Sequence, residues 1–442
     1  MIGAGPAGLT ATKNLVHAGF HVDCYDSQHE VGGIWNFAND RSSIHESTRM
    51  ISSKRLTEFS DFRMPREYPH YPGHRQAFEY LKSYAKHFNL YPYIQLGQSV
   101  ESVRLTGRAG QADSTERGWI VRTNRQSEAI RYDGVVVANG HHSSPLWPEI
   151  PGLRGDTGSG ERFAGEVIHA RDYRSTEILR GRRVLVIGAG NSGCDLAVEA
   201  ANYAKSASIS MRRGYHFFPK YLFGAPLDRC GENMHRWKIK SVLNGSVYRW
   251  ITKICLLVTI GKLESTGLPA PDHRLFESHP IVNSKMVDCV RNGKLKVRRD
   301  VRRLEGHRIE FTDGSEAEFD LVICATGYKP SFPFLDPAFG TSQLVLNMFD
   351  PSVEGLWFIG LIQPDGGIWQ LADYQSQLLA KYLQRHQAEG HDNRWLDSLI
   401  GSGSSGSPRR DRARYLASPR HAFEVDYFEY RDRLKTLIRK LH

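Results

Sequence analysis

With 442 residues the chain exceeds what one ordinary hydrophobic core organises, so two domains are the starting expectation. The composition, 40% hydrophobic and 24% charged, is that of a soluble globular protein, and the longest apolar run, Ile254 to Ile260, is far too short to cross a bilayer, so a cytoplasmic protein without a transmembrane anchor is expected. A formal charge of +10 suits an anionic cofactor or substrate rather than a nucleic acid, and six scattered cysteines with no CxxC pair argue against a redox dithiol or a zinc site.

The chain opens on Ile2-Gly3-Ala4-Gly5-Pro6-Ala7-Gly8, a GxGxxG pattern. Such a motif means little unless a strand precedes it and a helix follows. The first glycine then makes the turn, the second lets backbone approach a pyrophosphate, and the third brings helix against strand. A helix is predicted from Ala7 to Ala18, stopped by Gly19, and a second strand from Phe20 to Tyr25. Only Met1 and Ile2 stand where the first strand belongs, so the sequence reads as N-terminally short by about four strand residues, with a true abbreviated strand as the alternative. Asp26 lies at the end of the second strand, placed to accept hydrogen bonds from ribose hydroxyls, which fits FAD or NAD.

Val135 to Ala138 forms the next apolar strand and runs into Asn139-Gly140-His141-His142. Val184-Leu185-Val186-Ile187 then leads into a second fingerprint, Gly188-Ala189-Gly190-Asn191-Ser192-Gly193, and a predicted helix from Cys194 to Ala204. Met211 takes the place of the ribose acid and is followed by Arg212 and Arg213, a guanidinium pair suited to a 2′-phosphate and hence to NADP; two solvated loop charges are the alternative. Leu321 to Ala325 runs into Thr326-Gly327-Tyr328 as 135–138 runs into 139–142. The predicted fold is therefore α/β, with two Rossmann-like dinucleotide-binding domains. The NADP domain, 166–327 with a helical excursion at about 215–290, is inserted into a discontinuous FAD domain made of 1–165 and 328–400. A Gly/Ser linker at 401–407 opens a basic tail, 401–442, where Tyr427, Tyr430, Leu434, Leu437, Ile438 and Leu441 recur at helical spacing, as in an amphipathic helix docked on its own protein.

Phe163-Ala164-Gly165-Glu166-Val167-Ile168-His169-Ala170-Arg171-Asp172-Tyr173 fits FxGxxxHxxxY/F just ahead of the second fingerprint. With it stand Gly32-Gly33-Ile34-Trp35, Asp61-Phe62 beside the Pro-rich run 64–72, Ala325-Thr326-Gly327-Tyr328 and Gly360-Leu361-Ile362-Gln363-Pro364. On these residues the sequence resembles the flavin-containing monooxygenases, class B flavoprotein monooxygenases, over nearly all its length to about residue 390. The tail around Ser418-Pro419-Arg420-His421 is similar to that of soluble microbial members.

The resemblance implies NADPH held at Gly188, Gly190, Asn191, Ser192, Gly193, Arg212 and Arg213, and FAD held at Gly3, Gly5, Gly8, Asp26, Gly33, Trp35, Thr326, Gly327 and Gln363. It implies a C4a-hydroperoxyflavin, formed with dioxygen, that oxygenates a soft nitrogen or sulfur nucleophile of a small amine or sulfide. His169 is a candidate for direct chemistry, although the resemblance makes it a structural link. Tyr173 stands where Baeyer-Villiger enzymes usually carry Trp, which favours heteroatom oxygenation. Where many family members have an Asn that steadies the flavin hydroperoxide, this sequence has Ile51, and Ser52 is the candidate substitute donor. Two other readings follow: ketone oxygenation of the Baeyer-Villiger kind or uncoupled NADPH oxidation, and a truncated, flavin-poor NADP-binding protein. No metal-ligating set is found, and a homo-oligomer is left open.

Overall fold

The computed structural model describes residues 1–441 apart from 107–117, 127, 155–161, 237–244, 276, 340, 342–343, 390–394, 396–398 and 400–422; the Gly/Ser tract and the Ser418–His421 tail lie outside the described residues. The chain forms two compact units, one of Met1–Ser42, Ser52–His141 and Pro330–His442, the other of Ser43–Ile51 and His142–Lys329.

In the second unit five parallel strands lie in the order Leu295–Arg298, Ser206–Ser210, Arg183–Ile187, Leu321–Cys324 and Glu166–His169. The continuous apolar run of the fingerprint strand has a direct cause. Val184 and Val186 point into one core with Cys194, Leu196 and Ala197 of the helix Asn191–Tyr203, while Leu185 and Ile187 point into another with Ile309, Phe311 and Phe319. A strand covered on both faces has no position for a polar side chain. The second cover is an antiparallel meander of Val301–Glu305, Arg308–Phe311 and Glu316–Glu318.

The first unit repeats this plan with a reduced centre. Cys24–Asp26 pairs in parallel with Ile94–Leu96, and Val135–Val137 with Leu356–Phe358. Ile2 joins the two pairs through parallel bridges to Tyr25 and Val137, with Gly3 N–H donating to Tyr25 O at 2.8 Å and Ala138 N–H to Ile2 O at 2.9 Å. The predicted strand 20–25 forms only over Cys24–Asp26, whereas the predicted helix forms as Pro6–His17. The long helix Ile368–Ala388 and the helix Tyr427–Lys440 pack with Pro6–His17 in one apolar core; Tyr427, Tyr430, Leu434 and Leu437 face inward, and Asp426 caps the last helix by accepting from Phe428 and Glu429 N–H.

Besides Tyr328 and Lys329, two segments that the sequence places in the first domain group with the second unit. Residues 142–165 do so because Leu153 and Phe163 enter the core of Leu304 and Ile309, and Leu304 N–H donates to Pro151 O at 2.9 Å. Residues 43–51 do so because Glu46 N–H donates to Arg174 O at 2.9 Å and Ser47 donates to Glu199. The excursion at 215–290 contains the helices Leu227–Arg236, Gly245–Thr259 and Ser284–Arg291 and a small hairpin of Tyr221–Leu222 with Ala225–Pro226.

Candidate active site: two nucleotide cradles

Both fingerprints turn on a glycine with positive φ, +101° at Gly3 and +103° at Gly188, conformations L side chains rarely adopt. A Cβ on Gly8 would lie 1.8 Å from Gly3 O, and one on Gly193 2.0 Å from Gly188 O, so the third glycine of each copy is demanded by helix–strand contact. Gly5 differs. A Cβ there would meet only the backbone of Gly33, Cα at 3.6 Å and N at 3.9 Å, ordinary contacts, so the protein leaves space in front of Gly5 that a group lying against the backbone would use. Gly33, at φ +57° in the turn Gly33–Trp35, forms the facing wall, and Trp35 meets Trp369 edge-to-face at 5.4 Å.

Asp26 is fixed by the loop it serves. Ala4 N–H donates to Oδ2 at 2.6 Å and Gln28 N–H to Oδ1 at 2.8 Å. Burial pushes its carboxyl above the ordinary range, against the pull of those two donors and of Arg41. Each oxygen retains acceptor capacity for a ribose hydroxyl. Gln363 Oε1 lies 3.3 Å from His141 Nε2, whose pKa is lowered by burial, and Gln363 N–H donates to Phe423 O at 2.7 Å.

In the second cradle Met211 is buried, with its N–H donating to Arg298 O at 3.0 Å, while Arg212 is exposed at the strand end. Arg213 stands over the Tyr215 ring at 5.3 Å and reaches Ser278 Oγ at 3.4 Å. Ser192 is exposed on the first turn of the helix. The Asn191 side chain is engaged elsewhere: Nδ2 donates to Pro280 O at 3.2 Å and Oδ1 accepts from Val282 N–H at 2.9 Å. It therefore has its backbone N–H to offer at the helix start. Thr326 and Gly327 tie the chain locally: Thr326 Oγ1 donates to Leu146 O, and Leu146 N–H to Gly327 O at 2.9 Å.

His169 ends its strand fully buried, its ring 5.3 Å from both Trp147 and Tyr328, with Nδ1 accepting from Arg171 N–H at 3.1 Å. Burial lowers its pKa, so it is a neutral imidazole. Tyr173 donates to Glu199, which also takes a hydrogen bond from Ser47 and lies 3.6 Å from His45. Ser52 is half-buried ahead of the short helix Lys54–Thr57. The sequence did not reveal the work of Lys54, whose Nζ donates to the carbonyls of Pro65, Arg66 and Tyr68 at 3.0, 3.0 and 2.7 Å and so holds the Pro-rich run. Nothing in a one-dimensional pattern marks a lysine that serves backbone carbonyls.

The sequence profile of the flavin-binding monooxygenase-like family matches residues 1–440. The chain belongs to that family. Among its relatives, flavin-containing monooxygenase 5 of Oryctolagus cuniculus is 32% identical over 464 residues, spanning 99% of this chain and 82% of that protein. The rabbit dimethylaniline monooxygenase [N-oxide-forming] 2 is 32% identical over 392 residues, 85% of this chain and 71% of the relative. The fold is that of S-allyl-L-cysteine S-oxygenase from Allium sativum, with a TM-score of 0.63 at 19% identity, covering 99% of this chain and 87% of the other. This monooxygenase is thus a flavoprotein oxidoreductase that uses FAD and NADPH. Among its described residues no helix is long and apolar enough to cross a membrane, and none group as a metal site.

Proposed function

We propose that the monooxygenase holds FAD in the cradle of Gly3, Gly5, Gly8 and Asp26 and NADPH in that of Gly188, Gly190, Gly193 and Arg212, and that it oxygenates a soft nitrogen or sulfur atom of a small molecule. One observation carries the division of cofactors: the strand ends carry a half-buried carboxylate, Asp26, in one copy and a buried methionine followed by an exposed arginine in the other. A ribose diol needs an acceptor, whereas a 2′-phosphate needs a cation and is repelled by a carboxylate. The space in front of Gly5 fits a pyrophosphate on the helix N-terminus.

Bound flavin, once reduced by NADPH, supplies the activation of dioxygen. The chain's own residues bind, orient and exclude water. Gly33 and Trp35 wall the first cradle, and neutral His169 holds Trp147 and Tyr328 rather than moving a proton. Ser52 offers a hydroxyl where Ile51 has none. The attacked atom is nitrogen or sulfur in this reading because relatives form N-oxides or oxygenate sulfur by name, and because Tyr173 keeps its hydroxyl on Glu199. All six cysteines are free, which suits work in the reducing cytoplasm.

The test supplies a tertiary amine, a thioether and a cyclic ketone to purified enzyme and measures oxygenated product against NADPH consumed. N-oxide or S-oxide in proportion to NADPH is expected. Ester or lactone as the main product would move the enzyme to ketone chemistry, and peroxide without product would leave an NADPH oxidase.

A further inference from the structure

Within the second unit the excursion that begins after residue 215 returns along 269–283, and this returning limb touches the coenzyme cradle repeatedly. At one end a Cβ on Gly214 would lie 2.0 Å from Ala270 O, so the turn after Arg212 and Arg213 rests against the limb's backbone. Ser278 Oγ is 3.4 Å from Arg213 Nη2, and Phe218 N–H donates to Ile281 O at 2.8 Å. At the other end Asn191 holds both Pro280 O and Val282 N–H. One turn along the same helix, Asp195 Oδ1 accepts from Asn283 Nδ2 at 2.7 Å, while Asn283 Oδ1 caps the next helix through Met286 N–H at 3.0 Å.

An asparagine at the start of a helix commonly folds back to satisfy its own helix N–H groups. Here Gly190 is the cap residue and makes no side-chain capping bond, and Asn191 turns away to a segment about ninety residues distant in sequence. The helix start is left open for an anion, and the side chain beside it fixes a wall. The corresponding residue of the first cradle is Pro6, which has no donor at all. The clamp is therefore a property of the second cradle alone.

We infer that Asn191 is a positioning residue whose carboxamide, with the Asp195–Asn283 tie, fixes segment 278–283 as the outer wall of the NADPH site, and that Ser278 orients Arg213 for the 2′-phosphate. The inference rests on the assignment of the second cradle to NADPH. Segment 278–283 links the two anion-recognising points of that cradle: the helix start that faces a pyrophosphate common to NADPH and NADH, and the arginine pair that faces a phosphate only NADPH carries. A loosened clamp misplaces the first point for both coenzymes, whereas a lost Ser278 hydroxyl affects the second.

The experiment measures dissociation constants of NADP+ and NAD+ by calorimetry on FAD-loaded enzyme, together with coenzyme KM, kcat and melting temperature. Asn191→Leu and Asn283→Ala are expected to weaken NADP+ and NAD+ by the same factor, about tenfold to a hundredfold, since a misplacement of about 1 Å is costly at a preorganised site. Flavin content stays within about twofold in both, and in Asn283→Ala so does kcat at saturating coenzyme. The double variant costs less than the product of the single factors, because both act on one segment. Ser278→Ala weakens NADP+ and leaves NAD+ unchanged. A lowered melting temperature with unchanged coenzyme affinity would show a purely structural tie and overturn the inference; if Asn191→Leu does not fold, Asn283→Ala, which leaves the helix start intact, decides by the same readout. Arg212→Ala separates the premise from the inference. If Arg212→Ala spares NADP+ affinity, the cradle assignment fails; if it removes NADP+ selectivity while both clamp variants are inert, only the clamp fails.

Discussion

The two fingerprint regions are nearly one object where the chain packs on itself and two different objects where it faces a ligand. Gly3 and Gly188 share a backbone angle within a few degrees, and a Cβ on either would lie 2.6 Å from a carbonyl, that of Ala138 or Ala325. Among the positions that differ are Pro6 against Asn191 at the helix start, Thr10 against Asp195 one turn on, and Asp26 against Met211 at the strand end. The difference teaches that the shared glycines report the fold, whereas the unshared neighbours report what each cradle holds. In the first copy Ile2 bridges Tyr25 and Val137, where in the second Arg183–Ile187 pairs over five residues with Ser206–Ser210 and over four with Leu321–Cys324.

The largest expected effect breaks the comparison one half at a time. In Gly8→Ala the new methyl meets Gly3 O, and in Gly193→Ala it meets Gly188 O; each clash forces helix from strand at about 3 kcal/mol or more. Gly8→Ala should yield protein with little bound flavin, measured by visible absorbance. Gly193→Ala should retain the yellow colour but fail to be reduced by NADPH. Loss of flavin from both variants, or from neither, would mean that the two cradles are not separate binding sites for different cofactors.

Next in size is the strand-end difference. Arg212→Ala combined with Arg213→Ala should raise KM for NADPH about 100-fold while changing that for NADH little, because charge-assisted bonds to a phosphate are worth about 1.5 to 3 kcal/mol each when desolvated. Equal losses for both coenzymes would show that the pair supports the fold and does not read the 2′-phosphate.

These effects concern residues that the sequence displays openly, and the reason is physical. Gly3, Gly8, Gly188 and Gly193 answer to contacts within one strand–turn–helix unit, so their spacing survives in one dimension, and Asp26 and Arg212 lie at a fixed distance along the same unit. Lys54, Glu199 and Asn191 are different. Lys54 serves three carbonyls of a loop, Glu199 collects Tyr173 and Ser47, and Asn191 grips the backbone around Pro280. Their partners are main-chain groups or distant hydroxyls, which any residue sequence could provide. For the same reason the limb 269–283 shows no readable pattern, although it lines the second cradle, and residues 43–51 give no sign of joining the second unit.

The smallest expected effects sharpen the contrast between the two fingerprint helices, which adjoin or carry carboxylates of opposite character, buried Asp373 and half-buried Asp195. Asp373 accepts from Thr10, Asn14 and Ser60 and faces Lys13; burial alone would raise its pKa, but Lys13 and those donors outweigh it and hold the group below the usual range. Asp195 is pushed up to about 6, chiefly by burial and against the pull of Lys220, with Glu199 adding repulsion and Asn283 and Lys285 relief. The signs for stability follow by linkage. The contribution of Asp373 is fully present above its unfolded pKa of about 4 and is lost as pH falls through its depressed folded value. Asp195 binds a proton in the folded state between about pH 4 and 6, where the unfolded chain has released it, so its contribution falls as pH rises through that window and is a fixed cost above it. Asp373→Asn should therefore destabilise the protein at pH 7.5 by about 2 to 3 kcal/mol, because Lys13 is left with less countercharge in a buried setting. Asp195→Asn, which keeps an oxygen for Asn283 Nδ2, should stabilise it by on the order of 1 to 2 kcal/mol at pH 7.5 and flatten the dependence between pH 4 and 6. Denaturant titrations across that range read both. A loss of stability in Asp195→Asn at pH 7.5 would mean that attraction to Lys220 exceeds the cost of burial, and that the carboxylates beside both fingerprint helices are held by the same means.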